Sequence, residues 1–155
     1  YTPVTSGEYT VMAFDEHGRY SFISEPVRVN LKEQFYKIED LSLENKLGVQ
    51  WKQEVNIPKT GEYYIEFEYS NGNGDISTYN KCSTRTLFID RKRTDVVVLP
   101  QRGDSWDAKG FTQPVKVKLS AGNHSLELRF LEENINMNID VDNEVLRGLR
   151  ISKLE

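Results

Sequence analysis

Residues 58–72 read PKTGEYYIEFEYSNG. Large apolar side chains occupy every second position in the middle of this segment: Tyr63, Ile65, Phe67 and Tyr69. Polar or amphipathic residues lie between them, which is the pattern of a strand with one face on a core and the other in water. Turn formers flank the run, with Pro58 and Gly61 before it and Asn71-Gly72 after it. The segment therefore predicts one half-buried strand between two turns.

The same alternation recurs in residues 49–57, 115–119 and 126–130. Further strands are predicted at 85–90, 95–99 and about 145–154, and Gly- or Asn-containing turns separate most of these runs. No window of twelve or more residues carries a helical period, although residues 31–47 lack a clear pattern and leave room for a helical turn. Short alternating strands of this kind predict an all-β protein, an antiparallel β-sandwich or barrel.

The amino-acid composition argues against several classes of function. The 155 residues carry 24 acidic and 20 basic side chains, a net charge of -4, which does not suit a general nucleic-acid binder. A single cysteine, Cys82, excludes an internal disulfide. The chain has only two histidines, without HExxH spacing, which argues against a catalytic zinc site and against a Ser-His-Asp catalytic triad. No apolar run approaches the length of a membrane span.

The first thirty residues predict a hairpin, with a strand from Gly7 to Asp15, a turn around Gly18, and a return from Phe22 to Val29. An isolated hairpin is marginal in water, so it either packs on the main sandwich or belongs to a preceding domain. The order GEYTVMAFDEHGRYSFISEPVRV resembles the last two strands of a fibronectin type III-like domain. We place the domain boundary near Asn30, giving units 1–30 and 31–155, and we expect a chain beginning Tyr1-Thr2-Pro3 to be processed or excised from a longer protein.

Two segments are rich in side-chain amides, which donate and accept hydrogen bonds as sugar hydroxyls do. The first contains Asn71, Asn73, Tyr79, Asn80 and Lys81; the second contains Asn134, Asn136 and Asn138. The alternative interpretation is that Asn and Gly simply form turns.

Trp106 lies in a polar segment without apolar period and is either half-buried packing or an exposed platform for a sugar ring. Trp51, on the apolar face of a patterned strand, is predicted to be in the core. Lys81 and Arg85 share one side of an extended segment, where they would hold an acidic sugar or form a solvated face. Residues 91–93, Arg-Lys-Arg, are expected to be a solubilising hairpin turn.

Asp140, Asp142 and Glu144 alternate, so their carboxylates would lie on one side of an extended segment. They would hold calcium, which takes oxygen ligands, or form an acidic solvated edge. Glu39-Asp40 is a second acidic position. Nothing in the sequence brings two carboxylates to the separation that glycoside hydrolysis needs, so an enzyme is the least favoured reading.

From about Phe35 onward, the chain resembles carbohydrate-binding modules of families 6 and 35, which are galactose-binding-like jelly-roll β-sandwiches. Four segments carry the resemblance: the opening strand at residues 36–40, the distinctive segment 58–72, the strand LSAGNHSLEL at residues 119–128, and the closing strand at residues 146–154. The match covers roughly three quarters of the chain.

The resemblance implies a noncatalytic module linked to a secreted, periplasmic or cell-surface polysaccharide-degrading enzyme. It implies an oligo- or polysaccharide ligand in loops at one edge of the sandwich, with Trp106 as the platform and Asn136 and Asn138 beside it. The resemblance also implies ligand contacts from Tyr79, Asn80 and Arg85, although these positions match the family less closely. It also implies a structural calcium held partly by Glu39. Family members use an Asp in the last strand where this sequence has Arg147, so Asp142 or Glu144 would have to substitute. The alternative function is an accessory domain that packs on a glycoside hydrolase without binding sugar.

Overall fold

The computed structural model describes residues 7–19, 21, 24, 27–29, 33–75, 81–135 and 144–154. The chain forms two compact units, Tyr1–Glu33 and Gln34–Glu155. The described residues contain eleven strands and one short 3-10 helix. None of their helical segments has the length and apolar character needed to span a bilayer.

The first unit is a hairpin. Its strands β1 (Gly7–Tyr9) and β2 (Val27–Val29) pair antiparallel, with Gly7 opposite Val29. Farther along, the amide of Ser24 donates to the Val11 carbonyl and that of Ser21 to the Ala13 carbonyl, at 2.9 and 2.8 Å. The predicted hairpin is therefore present, while its relation to a fibronectin type III-like domain stays a prediction.

The second unit contains two antiparallel sheets. Its strands are β3 (Glu33–Leu43), β4 (Gln50–Ile57), β5 (Gly61–Ser70), β6 (Ser83–Ile89), β7 (Lys92–Leu99), β8 (Lys109–Phe111), β9 (Val115–Leu119), β10 (Gly122–Arg129) and β11 (Glu144–Lys153). One sheet has the order β4-β10-β6-β7. The other has the order β3-β11-β5-β8, with β9 also paired to β5. This arrangement confirms the predicted all-β sandwich.

The segment of residues 58–72 is central to the second sheet. Strand β5 pairs with β11 along one edge, and its other edge is shared, with β9 beside Gly61–Ile65 and β8 beside Glu68–Ser70. Residues Tyr63, Ile65, Phe67 and Tyr69 are buried, whereas the residues between them are half-exposed. The alternation seen in the sequence is thus the inward and outward alternation of a one-sided strand.

The core lies between the two sheets. Trp51 of β4 meets Phe67 of β5 edge to face, with ring centroids 5.7 Å apart and an interplanar angle of 88°. This geometry is the favoured one for aromatic pairs. Trp51 is buried, as its position on the apolar face predicted. Truncation of such a side chain typically costs about 3–5 kcal/mol.

Two connections differ from or refine the sequence expectations. In the unclear stretch before residue 47, Glu33–Leu43 is a strand at the edge of the five-stranded sheet, where the sequence had left room for a helical turn. Between β6 and β7, Asp90 and Arg91 form a two-residue turn with φ values of 51° and 66°. Two positive φ angles in succession define the turn that best matches strand twist.

Candidate functional site

A group of loops gathers where β5 and β7 end, and we call residues 71–75, 81–82 and 100–108 the loop cluster. Backbone hydrogen bonds join two of its segments. The amide of Gly74 donates to the Gly103 carbonyl and that of Gly103 to the Gly74 carbonyl, both at 3.2 Å, and the Arg102 amide donates to the Asn71 carbonyl at 2.8 Å. The main chain therefore fixes the shape of this surface.

Asn71 is the interior brace of the loop cluster. Its side chain is fully buried, and its Nδ2 donates to the carbonyls of Leu99 and Lys81 at 3.0 and 3.2 Å. Its Oδ1 accepts from the backbone amide and the Nδ2 of Asn73, at 3.3 and 2.6 Å. The prediction that Asn71 contacts a sugar is therefore wrong, because its carboxamide is used within the protein. Asn73 is half-buried beside it.

Gln101 joins residues 81–82 to the other two segments of the loop cluster. Its Oε1 accepts from the Lys81 amide at 2.9 Å, and its Nε2 donates to the Asp75 carbonyl at 3.3 Å. Gln101 is buried, whereas Lys81 is half-buried at the rim. The sequence analysis missed Gln101. The one feature of the sequence that could have indicated it is an amide side chain directly before Arg102 in a predicted loop.

Trp106 combines the two alternatives raised by the sequence. A Cβ placed on Gly72 would lie 2.8–2.9 Å from three indole carbons, so the ring rests face-on against the Gly72 backbone. The side chain is nevertheless half-exposed. A tight turn presents it, since the Ala108 amide donates to the Ser105 carbonyl at 3.2 Å. Trp106 is therefore an anchored aromatic ring at the surface, held in one orientation.

Arg147 fixes the Trp106 turn from the neighbouring strand β11. Its Nη2 donates to the Trp106 carbonyl at 2.8 Å, and its Nε donates to Ser70 Oγ at 3.1 Å. The sequence analysis noted Arg147 only as a departure from the family pattern. The structure gives it a positioning role, because it connects the end of β5 to the loop that carries the indole.

Tyr69 and Arg102 support the other side of the loop cluster. The Tyr69 hydroxyl donates to the Pro100 carbonyl at 2.9 Å, and the Arg102 guanidinium carbon lies 5.6 Å from the Tyr69 ring centroid. Burial raises the pKa of the Tyr69 phenol, so the ring remains a neutral hydrogen-bond donor at ordinary pH. The Arg102 head also packs over Gly110, where no Cβ obstructs it.

Arg85 is buried and does not face a ligand. Its side chain is 1% exposed, and Nη2 lies 2.5 Å from Oε1 of Glu144, which is 0% exposed. The guanidinium also donates to Ser83 Oγ and to the carbonyls of Leu43, Glu44 and Thr84, at 2.8–3.3 Å. The Phe130 ring centroid lies 4.8 Å from its central carbon. The prediction of a sugar contact at Arg85 is therefore wrong, since the cation is fully engaged inside the fold.

Asn134 is also an internal residue. It is buried at the end of the 3-10 helix Glu132–Asn134, where its Oδ1 accepts from the Leu131 amide at 2.8 Å and from Thr86 Oγ1 at 3.1 Å. This side chain closes the connection after β10, so its predicted contact with sugar is wrong. The other predicted contacts, Tyr79, Asn80, Asn136 and Asn138, lie outside the described residues.

The acidic residues predicted to hold calcium are only partly described, and those that are described lie apart. Burial raises the pKa of Glu144, and the charge of the adjacent Arg85 guanidinium opposes that shift. Glu39 is exposed on β3, and Asp142 lies outside the described residues. Across the part of the chain that the structure describes, no three His, Cys, Asp or Glu side chains gather as metal ligands. Calcium binding, with Glu39, Asp142 or Glu144 as ligands, stays a prediction.

Comparison with known proteins gives a result only at the level of structure. No protein-family model matches the chain, and no curated protein matches it. Among solved structures, a family 35 carbohydrate-binding module from Clostridium thermocellum superposes with a TM-score of 0.55 and 15% identity, covering 79% of this chain and 92% of that module. The chain has the fold of family 35 carbohydrate-binding modules. A second module, Xyl-CBM35 in complex with a glucuronic acid-containing disaccharide, superposes with a TM-score of 0.56 and 14% identity, covering 98% of this chain and 91% of that chain.

Larger enzymes contain the same fold. The cycloisomaltooligosaccharide glucanotransferase of Paenibacillus sp., complexed with cycloisomaltoheptaose, matches with a TM-score of 0.57 and 18% identity. The match covers 96% of this chain but 17% of that enzyme. The chain thus spans a small part of the glucanotransferase and most of the length of the isolated modules. At these identities the similarity establishes the fold, and function has to be argued from the site.

Proposed function

We propose that the unit Gln34–Glu155 is a noncatalytic carbohydrate-binding module whose ligand stacks on Trp106. The observation that carries the proposal is the half-exposed indole held face-on against Gly72 and tied through its carbonyl to Arg147. An aromatic ring fixed before binding loses little conformational entropy when a ligand arrives. Its surface suits the C–H-rich face of a sugar ring.

Polar groups around Trp106 supply the other half of sugar recognition. Asn73 and Lys81 are half-buried at the rim of the loop cluster, and Arg102 is exposed beside them. Amide and cationic side chains donate hydrogen bonds to hydroxyl and carboxylate oxygens. Tyr79, Asn80, Asn136 and Asn138 stay part of this proposal as residues of the adjoining segments. The disaccharide of the Xyl-CBM35 complex supports an acidic sugar as one ligand class to test.

The biological role we propose is targeting. A module of this fold occurs within the Paenibacillus glucanotransferase, which supports a linked polysaccharide-degrading catalytic domain as the partner. Tethering to a polymer raises the local concentration of such a domain near its substrate. A secreted, periplasmic or cell-surface location follows from that role. The Tyr1–Glu33 hairpin, with Val11 and Phe14 exposed, is proposed to be the end of a fibronectin type III-like domain.

Binding of the 155-residue chain to neutral and uronic-acid polysaccharides tests the proposal directly. We expect affinity-gel retardation by at least one polysaccharide and a loss of roughly thirtyfold in Trp106→Ala, because truncating a central aromatic anchor typically costs about 2 kcal/mol. Val96→Ala, which trims an exposed apolar side chain on β7, is the matched control and should bind normally. Equal binding by Trp106→Ala and the native chain would place the site elsewhere. Absence of binding to every polysaccharide would favour an accessory domain that packs on an enzyme.

A further inference from the structure

A second concave surface lies far from the loop cluster. It is a cavity of 560 Å³ lined by the turn between β6 and β7 and by strand β9, and we call it the cationic cleft. Strand β9 pairs with the Gly61 end of β5, whereas the loop cluster follows Ser70 at the other end. Nine residues of strand separate those ends, which corresponds to about 30 Å. A ligand in the cationic cleft would therefore be independent of Trp106.

Four cationic side chains line the cationic cleft: Lys92, Arg93, Lys116 and Lys118. Two of them are partly neutralised, since Arg93 pairs with Glu133 at 2.7 Å and Lys116 with Glu62 at 2.9 Å. Among the described residues, no carboxylate lies within ion-pair distance of Lys92 or Lys118. The cross-strand neighbour of Lys118 on β5 is Glu62, whose pKa Lys118 helps to lower after the larger effect of Lys116. A protein with a net charge of -4 thus concentrates positive charge in one cavity. Such a cavity attracts anions.

Among the described residues of the lining, the one carboxylate is already paired with a cationic or donor group of the protein. Asp90 Oδ2 lies 2.6 Å from Nδ1 of His124, and the other ring nitrogen of His124 lies 2.9 Å from the Ser120 carbonyl oxygen. A carbonyl oxygen and a carboxylate can only accept, so both contacts favour the protonated ring, and despite its burial the hydrogen bonds to Asp90 and Ser120 raise the pKa of His124. Asp90 also accepts from the Ser125 amide at 2.9 Å. The carboxylate is therefore held by groups of the protein and does not repel an incoming anion.

The deeper part of the lining is apolar. Ile89, Val117 and Leu119 are buried core residues that contribute to the wall of the cationic cleft. Its volume falls in the range of about 300–1,000 Å³ that is usual for small-molecule sites. An apolar wall with a cationic rim suits a carbon-rich ring that carries an anionic substituent better than it suits a small inorganic anion.

We propose that the cationic cleft is a second binding site, which takes an anionic sugar and engages its carboxylate, sulfate or phosphate group through Lys92 and Lys118. Lysines on edge strands also prevent sheets from joining edge to edge, and β7 and β9 are both edge strands. The two roles predict different measurements. A binding site requires saturable ligand affinity, whereas edge protection requires only that the protein stay monomeric.

The test uses the 155-residue chain with four probes: a uronic-acid oligosaccharide, a sulfated oligosaccharide, a phosphorylated sugar and a neutral oligosaccharide. We expect at least one anionic probe to shift the backbone NMR resonances of Val117 and Ser120, with affinity that falls as salt rises. The double variant Lys92→Gln/Lys118→Gln should bind it at least about tenfold more weakly. Lys37→Gln/Lys46→Gln, which removes two exposed lysines absent from the cavity lining, is the charge-matched control and should bind normally.

The outcomes separate this site from the one at Trp106. Because the sites are distinct, Trp106→Ala should retain binding in the cationic cleft even if the proposed function at Trp106 fails. Resonance shifts confined to Gly72 and Trp106, or equal loss in both lysine double variants, would overturn the second site. Equal affinity for inorganic sulfate would overturn its assignment to a sugar. Self-association of Lys92→Gln/Lys118→Gln without any change in binding would assign the lysines to edge protection instead.

Discussion

Replacement of Arg85 by methionine should strongly destabilise the sandwich while leaving the sugar site intact. Arg85→Met keeps much of the side-chain volume but leaves Glu144 as a charge with no exposed surface and no cation beside it. Removing one partner of a buried pair typically costs about 3–5 kcal/mol. The carbonyls of Leu43 and Glu44 also lose a donor, a loss that overlaps with the first and is not added to it.

This loss of unfolding free energy is large, because typical domains are stabilised by only about 5–15 kcal/mol, and it amounts to roughly a third of that total or more. For a chain of this length it corresponds to a fall of roughly 10–15 °C in Tm. Urea unfolding followed by far-ultraviolet circular dichroism measures it, with an unchanged m-value showing that the transition stays two-state. The control is Arg93→Met, because Arg93 and Glu133 form an exposed pair that contributes at most about 1 kcal/mol.

Two further measurements make the reasoning refutable. Arg85→Met/Glu144→Leu removes both charges and should recover most of the loss, because an apolar pair of similar volume often matches a buried ion pair. In Arg85→Met alone, burial raises the pKa of Glu144 without opposition from a guanidinium. A carboxyl whose folded pKa is raised destabilises the fold as pH rises past its ordinary value, so the deficit should be smallest near pH 4 and grow toward neutrality. A deficit below about 1 kcal/mol, accompanied by lost sugar affinity, would show that Arg85 contacts the ligand after all.

Four other expectations follow from the geometry. Gly72→Ala should displace the indole of Trp106, shift its NMR resonance and weaken sugar binding, with an unchanged resonance contradicting the close packing. Burial lowers the pKa of His124, but its hydrogen bonds to Asp90 and Ser120 outweigh that effect and raise the pKa above the ordinary value. The native chain should therefore lose urea stability from neutral pH upward as His124 deprotonates, and His124→Gln should show no such loss. Chelation of calcium should leave the native Tm within about 1 °C, whereas Arg147→Met should lower it by roughly 3 °C through the lost Trp106 and Ser70 contacts.

The alternation of apolar and polar residues was sufficient to predict most of the long strands, but not β3 or the three-residue β8. In β5 and β9 the predicted inward residues are the buried ones, because a half-buried strand must repeat its environment every second residue. The edge strand Glu33–Leu43 was not predictable from periodicity because its polar and apolar residues do not alternate cleanly. There the family resemblance supplied the opening strand that the local pattern did not.

The candidate site was only partly predictable, because the polarity of a residue does not show whether its side chain faces solvent or the protein interior. Trp106 was identified since an aromatic in a polar segment needs an explanation. Asn71 and Arg85 have the same residue types as a sugar site requires, yet both face inward and satisfy backbone carbonyls. The carbonyls of Leu99 and Leu43 that they bind are 28 and 42 residues away in the sequence, so no local sequence pattern could predict these hydrogen bonds. Gln101 was missed for the same reason, since its partners Lys81 and Asp75 are brought near only by the fold.

The reciprocal main-chain bonds between Gly74 and Gly103 have a consequence for protein engineering. Because peptide groups and the buried Asn71 carboxamide define the loop conformation, the exposed side chains of Asp104 and Asp107 are not required to maintain it. Randomising those positions should therefore alter ligand preference with little effect on folding yield. The loop cluster would in that sense serve as a combinatorial display surface, on which new glycan specificities are selected without redesign of the sandwich beneath.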